Sequence, residues 1–322
     1  MRRQTFIAGT GAALVATPFS GIGFALAQEL KVLRVGVAEG DDATPTLYAV
    51  KAGLFKKFGL DVQVTPMPSG AAALAALSGG AVDIAGSSLL PFLSARNAGL
   101  PLTIVAPLAV YSPESVYAAI LVKKDSTYKT GKDLNGKTIA SPAIKDLNWV
   151  ASMAWIDKNG GDSSTCKSIE MPGSVIPAAL DEGRVDASTV TTPRYIQAVN
   201  AGKVRVLGKA YEAIGSHFLF AAFVSTNDFA NKNADIIARF GRAIRDASAY
   251  TNTHHDETMP IYAAFAKIDP KDIAGAPRAV SARYVDAKDI QPILDIARHY
   301  NILTKPVEAA ELLSPSILKV GA

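Results

Sequence analysis

The run "SGAAALAALSGGAVDIAGS" at residues 69–87 returns as "GSVIPAALDEGRVDASTV" at residues 173–190, displaced by 103 residues without a gap. Gly70 falls on Gly173, Leu77 on Leu180, Gly80 on Gly183, Val82 on Val185 and Asp83 on Asp186. Solenoid repeats recur every 20–50 residues or so, and this spacing is too long for one. Each copy is therefore read as part of a duplicated unit, one half of a larger molecule.

Local patterns give both halves the same order. "LRVGVA" alternates and is rich in β-branched residues, the mark of a strand. Asp41, Asp42 and Pro45 break it, and a helix is expected from about Thr46, with Leu47, Val50, Leu54 and Phe58 on one face and Gly59 as its stop. Strand "LDVQVT", an Ala-rich helix closed by Gly79-Gly80, strand "AVDIAGS", helix "LLPFLSARNAG" and strand "LTIVAPL" complete the first half. "GKTIAS", "AIKDLNWVASMAWIDKNG", "KSIEM", "PGSVIPAALDEG", "VDASTV", "PRYIQAVNAG" and "VRVLG" repeat the alternation. Strands alternating with helices imply an α/β fold with a mostly parallel sheet in each half. The tail is helical, with one face made by Ile237, Phe240, Ile244 and Ala247 and another by Ile290, Ile293, Leu294 and Ala297. Two extended stretches, residues 106–115 and 220–226, flank the second unit and are expected to be paired crossings between two lobes.

The first 27 residues stand apart. Arg2 and Arg3, an apolar middle and the small residues Ala25 and Ala27 form a secretory signal peptide pattern, cut after Ala27. Arg2-Arg3 followed by Phe6-Ile7 leaves the twin-arginine route open beside the general one. Removing this segment takes away two arginines and no acid, lowering the formal charge from +4 to +2. Lys and Arg are scattered among acids, with no basic run of the nucleic-acid kind. No later run approaches the roughly 20 apolar residues of a membrane span. Cys166 is the single cysteine of the chain, so no intramolecular disulfide forms. These features predict a mature protein free in a periplasm-like space.

The order and spacing of "TPTLYAVKAGLFKKFGLDVQV", "PSGAAALAALSGGAVDIA", "AILVKKDSTYKTGKDLNGKTIASP", "PAALDEGRVDAS", "FVSTNDFANKNADIIARFGRAIRDA" and "PVEAAELLSP" resemble one known family across the mature chain. It is that of the periplasmic solute-binding proteins of ABC importers of the nitrate, sulfonate and taurine type. The resemblance implies a two-lobed α/β fold of the type II periplasmic-binding-protein class, with ligand held in the cleft. The expected division is residues 29–112 plus 223–322 for one lobe and 113–222 for the other. The expected partners are a small ligand, a sulfonate, carboxylate or similar, and an importer permease, with the protein a monomer.

In open α/β sheets ligands sit beyond the carboxyl ends of the strands, where helix N-termini offer free N–H groups. The loops there name the candidates: Asp41, Asp42 and Thr46; Ser69 and Gly70; Ser87 and Ser88; Ser141; and in the second copy Gly173, Ser174, Thr191 and Thr192. Trp149 is a candidate stacking wall, Lys145 a cation for an anionic ligand, and Asn148 shares their loop. Tyr111 and His217 flank the two crossings. Many relatives carry an aromatic-acidic-proline triplet after the "VDA" strand; this chain has Thr191-Thr192-Pro193 and then Arg194. The lost acid argues against a cationic ligand gripped there, while Asp41 and Asp42 leave an amine-bearing ligand open at the opposite lobe.

No catalytic residue, metal site or cofactor is expected. "HHDE" at 254–257 reads as a solvated turn, since adjacent ligands do not share a helix face. The GxGxxG-like strings lie within the signal segment and follow no strand, and no G-x-S-x-G elbow or P-loop occurs. Two alternatives stay open. A thiamine-pyrimidine-synthase-type enzyme of similar fold would need a cysteine-rich iron site that one Cys166 does not supply. A receptor feeding a sensor would look the same in sequence as one feeding an importer.

Overall fold

The computed structural model describes residues 30–317; the signal segment lies outside the described residues. The strands are β1 (Lys31–Ala38), β2 (Leu60–Met67), β3 (Ile84–Ser88), β4 (Leu102–Tyr111), β5 (Ala118–Lys123), β6 (Thr138–Ser141), β7 (Lys167–Glu170), β8 (Ala187–Thr191), β9 (Val204–Lys209), β10 (Phe218–Thr226) and β11 (Val280–Ser281). They form two separate sheets, ordered β11-β4-β10-β3-β1-β2 and β7-β6-β8-β5-β9.

The duplication is visible in that topology. Leaving aside β11, each sheet places its second strand at the edge, then its first, its third, an antiparallel intruder (β10 or β5), and its fourth. Displaced by 103 residues, β3 (Ile84–Ser88) lands on β8 (Ala187–Thr191). The parallel pairs β1–β2 and β6–β7 correspond in the same way. Central strands β4 and β10 are buried almost throughout, which explains their unbroken apolar runs, whereas edge strand β2 alternates. The repeated glycines have a backbone reason. Gly80 and Gly183 sit at φ +74° and +70°, left-handed positions that end each helix before the chain enters β3 or β8.

The chain leaves the first sheet after Tyr111, enters the second at Ala118, leaves it after Lys209 and returns at Phe218. Strand β10 pairs with β4 from Phe218 opposite Tyr111, so residues 218–222 run in the first sheet, upstream of the boundary expected at 222. Residues 106–111 and 220–226 of the stretches expected as crossings lie in the paired strands β4 and β10, while residues 112–115 do fall in the segment between β4 and β5. The chain crosses in that segment and in the one before β10.

The tail helices Ala234–Thr251 and Ala287–His299 bury the expected faces, with Ile237, Phe240, Ile244 and Ala247 in one and Ile290, Ile293, Leu294 and Ala297 in the other. Two expected helices are corrected. The first runs Thr44–Lys51 and breaks at Gly53, whose φ of 68° rephases the next turn, Leu54–Lys57. As a result Thr46, Ala49 and Phe55 are buried and Val50 is exposed. The second begins at Leu147, because Asp146 caps it and Lys145 takes a left-handed φ of 67° just before. His254 closes a turn and His255 opens the helix His255–Ala266, so "HHDE" straddles both. No described helix is long and apolar enough to cross a membrane.

Candidate functional site: the cleft between the two sheets

A cleft of about 270 Å³ is lined from both sheets and from both crossings. The first sheet contributes the loop after β1 (Glu39, Gly40, Asp42), the start of the helix Gly70–Ser78 (Pro68, Ser69, Gly70), the end of β3 (Gly86, Ser87, Ser88) and Phe220 and Ala221 of β10. The second contributes Pro142, Asp146, Leu147 and Asn148 after β6, then Thr191 and Arg194 around the end of β8. Tyr117 enters from the crossing before β5 and Tyr211 from the crossing before β10. The parallel strands β1, β3, β6 and β8 all deliver their carboxyl ends here, the position an open α/β sheet leaves for a ligand.

Small residues and caps keep this region open and polar. A Cβ on Gly70 would come within 2.6 Å of the Ser87 hydroxyl, so the helix start lies directly on the end of β3 only because residue 70 has no side chain. Ser69 accepts from the Ala72 N–H at 3.1 Å and Asp146 from the Trp149 N–H at 2.7 Å, each satisfying one free donor of its helix. Ser88 stands at the head of a third helix, Leu89–Asn97, without a side-chain capping bond.

The electrostatics are uneven. Burial, together with the charge of neighbouring Asp41, pushes the Asp42 carboxyl up to about 7, against the opposing pull of its own backbone and the Tyr117 hydroxyl. Burial likewise pushes Asp146 up to about 6, although the Trp149 N–H and the Ser141 hydroxyl, at 2.7 and 2.8 Å, favour its charged form. Asp42 and Asp146 are half-buried along an open cleft, where desolvation disfavours the ionised carboxylate unless a cation arrives. Tyr117, Tyr211 and Phe220 form the floor: Tyr117 and Phe220 stack with centroids 5.2 Å apart and Tyr211 lies 5.7 Å from Phe220.

Of the residues expected at the site, the cleft gathers Asp42, Ser69, Gly70, Ser87, Ser88, Asn148 and Thr191. The others are placed elsewhere. Asp41 turns away to pair with Arg278 at 2.7 Å and to accept from the Ala279 N–H at 2.7 Å. Thr46 is fully buried in its helix, and Tyr111 packs against Phe218 and Tyr211 beneath the floor. Ser141 stands one layer back, donating to Asp146. Trp149 is turned outward, donating to Ser168 at 2.7 Å and meeting Tyr300 edge-on, and Lys145 donates to the Asn301 carbonyl at 3.2 Å. Gly173 is not among the lining residues but lies beside two that are, Arg194 and Pro142, and Ser174 is exposed. Thr192 is buried next to Tyr262 and Arg278, and His217 is an exposed neighbour of Asp289 at 3.9 Å. The expectations missed Glu39, Asp146, Arg194, Tyr117, Tyr211 and Phe220. Arg194 carried a signal, as the residue directly after the altered triplet Thr191-Thr192-Pro193.

The sequence profile described as NMT1/THI5 like matches residues 41–258, more than half of the chain. The chain belongs to the NMT1/THI5-like family. Among relatives of this NMT1/THI5-like protein is the taurine-binding periplasmic protein of Escherichia coli K12, 26% identical over 69% of this chain and 68% of that one. The fold is shared with the periplasmic aliphatic sulphonate binding protein of Escherichia coli at a TM-score of 0.74, with 21% identity over 89% of this chain and 98% of the other. It is shared too with the periplasmic nitrate-binding protein of Synechocystis PCC 6803 at a TM-score of 0.75, with 17% identity over 89% and 87% of the two chains. The fold is the two-lobed, type II arrangement.

Proposed function

We propose that this NMT1/THI5-like protein is a periplasmic solute receptor that closes its two lobes on one small polar molecule and hands it to the permease of an ABC importer. In this reading the lobes are residues 30–111 with 218–317, and 118–209, hinged at the two crossings. The observation that carries it is the cleft itself: equivalent loops of the two repeats face one another across a space sized for a small molecule. Closure follows from differential affinity, because the closed form offers a ligand both sets of contacts and the open form only one. Relatives named as taurine-, sulphonate- and nitrate-binding support a solute of this size class. The role is binding rather than catalysis, with export directed by residues 1–27.

The test is native mass spectrometry of protein purified from its own host, followed by calorimetry and small-angle scattering with the molecule released. Micromolar binding with a fall in radius of gyration is expected. A ligand that binds without changing the radius of gyration, and equally well to Asn148→Ala and Ser88→Ala variants, would remove the cleft from the mechanism.

A further inference from the structure

The cleft walls hold more negative than positive charge. Glu39 and Asp42 come from one lobe, Asp146 from the other, and Arg194 is the cation facing them. Among the described residues no side-chain nitrogen of Lys, Arg or His lies within 4.0 Å of an oxygen of the three carboxylates, and Arg194 takes part in no ion pair. The neighbouring acid Asp41 does have its cation, Arg278, so the shortage is local to the cleft. Asp42 and Asp146, from opposite lobes, line the same cleft as Tyr211. Bringing the lobes together brings these like charges together, and a ligand that is only an anion adds to the repulsion.

The floor between them is aromatic. Tyr117 and Phe220 are stacked at an interplanar angle of 23°, and Tyr211 tilts at 60° to Phe220. Aromatic faces attract cations through their quadrupole, most strongly where water is displaced. Carboxylates from both walls over an aromatic floor make a complementary seat for positive charge.

We propose that the ligand carries a cationic nitrogen, an ammonium or protonated amidine-like group, seated between Asp42 and Asp146 over Tyr117 and Phe220, with its polar or anionic end toward Arg194 and the serines of the first lobe. The proposal rests on the reading of the cleft as the solute site and names the chemistry that site selects. The cation is what lets the lobes close: it replaces repulsion across the cleft with two charge-assisted contacts, one per lobe. The raised carboxyls of Asp42 and Asp146 agree, since burial raises each and neither is ion-paired with a protein cation.

The experiment uses the mature protein at pH 8 with matched probes: 3-aminopropanesulfonate against propanesulfonate, and 4-aminobutyrate against butyrate, by calorimetry and thermal shift. The amine-bearing member of each pair is expected to bind at least tenfold more tightly. Asp42→Asn and Asp146→Asn are each expected to reduce that preference about tenfold while leaving the amine-free member unaffected or tighter. Asn keeps the cap at position 146, so the helix start is preserved, and an unchanged circular dichroism spectrum with one cooperative unfolding transition in the free variants serves as the folding control. Equal binding within the pairs, or a preference that survives in the double variant, overturns the proposal. So does a molecule released from host-purified protein that has no basic nitrogen, and in that case the solute-receptor reading stands. No released molecule and no response to any probe would remove both.

Discussion

Asp83 and Asp186, 103 residues apart in the chain, accept the same backbone hydrogen bond in two different sheets. Oδ2 of Asp83 takes the N–H of Arg34 on β1 at 2.9 Å, and Oδ2 of Asp186 takes that of Thr138 on β6 at 2.9 Å. Each aspartate also donates its own N–H to the carbonyl of that residue. The second oxygen differs: Arg34 pairs with Asp83 at 2.6 Å, whereas the Tyr128 hydroxyl donates to Asp186 at 2.7 Å. The repeated "VD" is thus a clamp that fixes the third strand of each sheet to the first.

Asp83→Ala and Asp186→Ala are expected each to destabilise the protein by about 1–3 kcal/mol, the cost of orphaning a partly buried N–H and losing one further partner. Hydrogen-exchange protection should fall in β1 and β3 for the first and in β6 and β8 for the second. Protection lost equally in both sheets from either substitution would contradict independent clamps.

The clamp also shows what a sequence can and cannot disclose. Gly80, Gly183, Asp83 and Asp186 act on residues of their own sheet, and backbone geometry forces the same solution twice, so the repetition is legible. The loops at the strand ends were legible for the same reason, and Ser69, Ser87, Ser88 and Thr191 do line the cleft. Which way a loop side chain turns depends on partners far away in the chain. Asp41 is drawn from the cleft by Arg278 and Trp149 by Tyr300, both supplied by the C-terminal segment. Tyr211 and Phe220 drew no expectation from the sequence; they are buried and still line the cleft.

The Asp41–Arg278 pair has side chains only 3% and 10% exposed, so removing one partner leaves a buried charge. Arg278→Met should cost about 3–5 kcal/mol, the range for breaking a buried pair. Asp41 orders the loop that presents Asp42, so binding of any cleft ligand should weaken as well. Urea denaturation measures the first effect, and a loss below about 1 kcal/mol would mean that water reaches Asp41.

Asp42 and Asp146 give the unliganded protein a definite pH response. A carboxyl whose folded pKa is raised holds its proton more firmly in the folded state. Its contribution to stability is complete below the unfolded value of 3.8 and is lost as pH rises through about 6 for Asp146 and about 7 for Asp42. The groups facing Asp42 are Asp41, which raises it, and Tyr117, which opposes; Asp146 faces Ser141 and the Trp149 N–H. Asp42→Asn is therefore expected to raise the Tm at pH 8 and leave it nearly unchanged at pH 4. A Tm gain of equal size at both pH values would show that the substitution acts through packing and not through charge.

The last contact to test joins the lobes outside the cleft. At the end of the helix Ala287–His299, the Tyr300 hydroxyl donates to Asp157 Oδ2 at 2.6 Å, and its ring receives the edge of Trp149 at a centroid distance of 5.8 Å. The next residue, Asn301, accepts from Lys145 at 3.2 Å. Lys145, Trp149 and Asp157 all belong to the second lobe and Tyr300 and Asn301 to the C-terminal part of the first, so two adjacent residues hold the lobes together without touching the ligand space. Tyr300→Phe keeps the ring and removes one hydrogen bond to a carboxylate, typically worth about 1.5–3 kcal/mol. If that bond is made only in the closed arrangement, its loss moves the equilibrium toward the open one, and apparent affinity falls in proportion to the closed fraction. The expected result is a larger radius of gyration for the unliganded variant and roughly 5-fold or more weaker binding of the released solute, with the Tm of the first lobe little changed. Identical scattering and affinity in Tyr300→Phe and the unsubstituted protein would mean that this contact persists in both arrangements and belongs to the pivot, not to a latch.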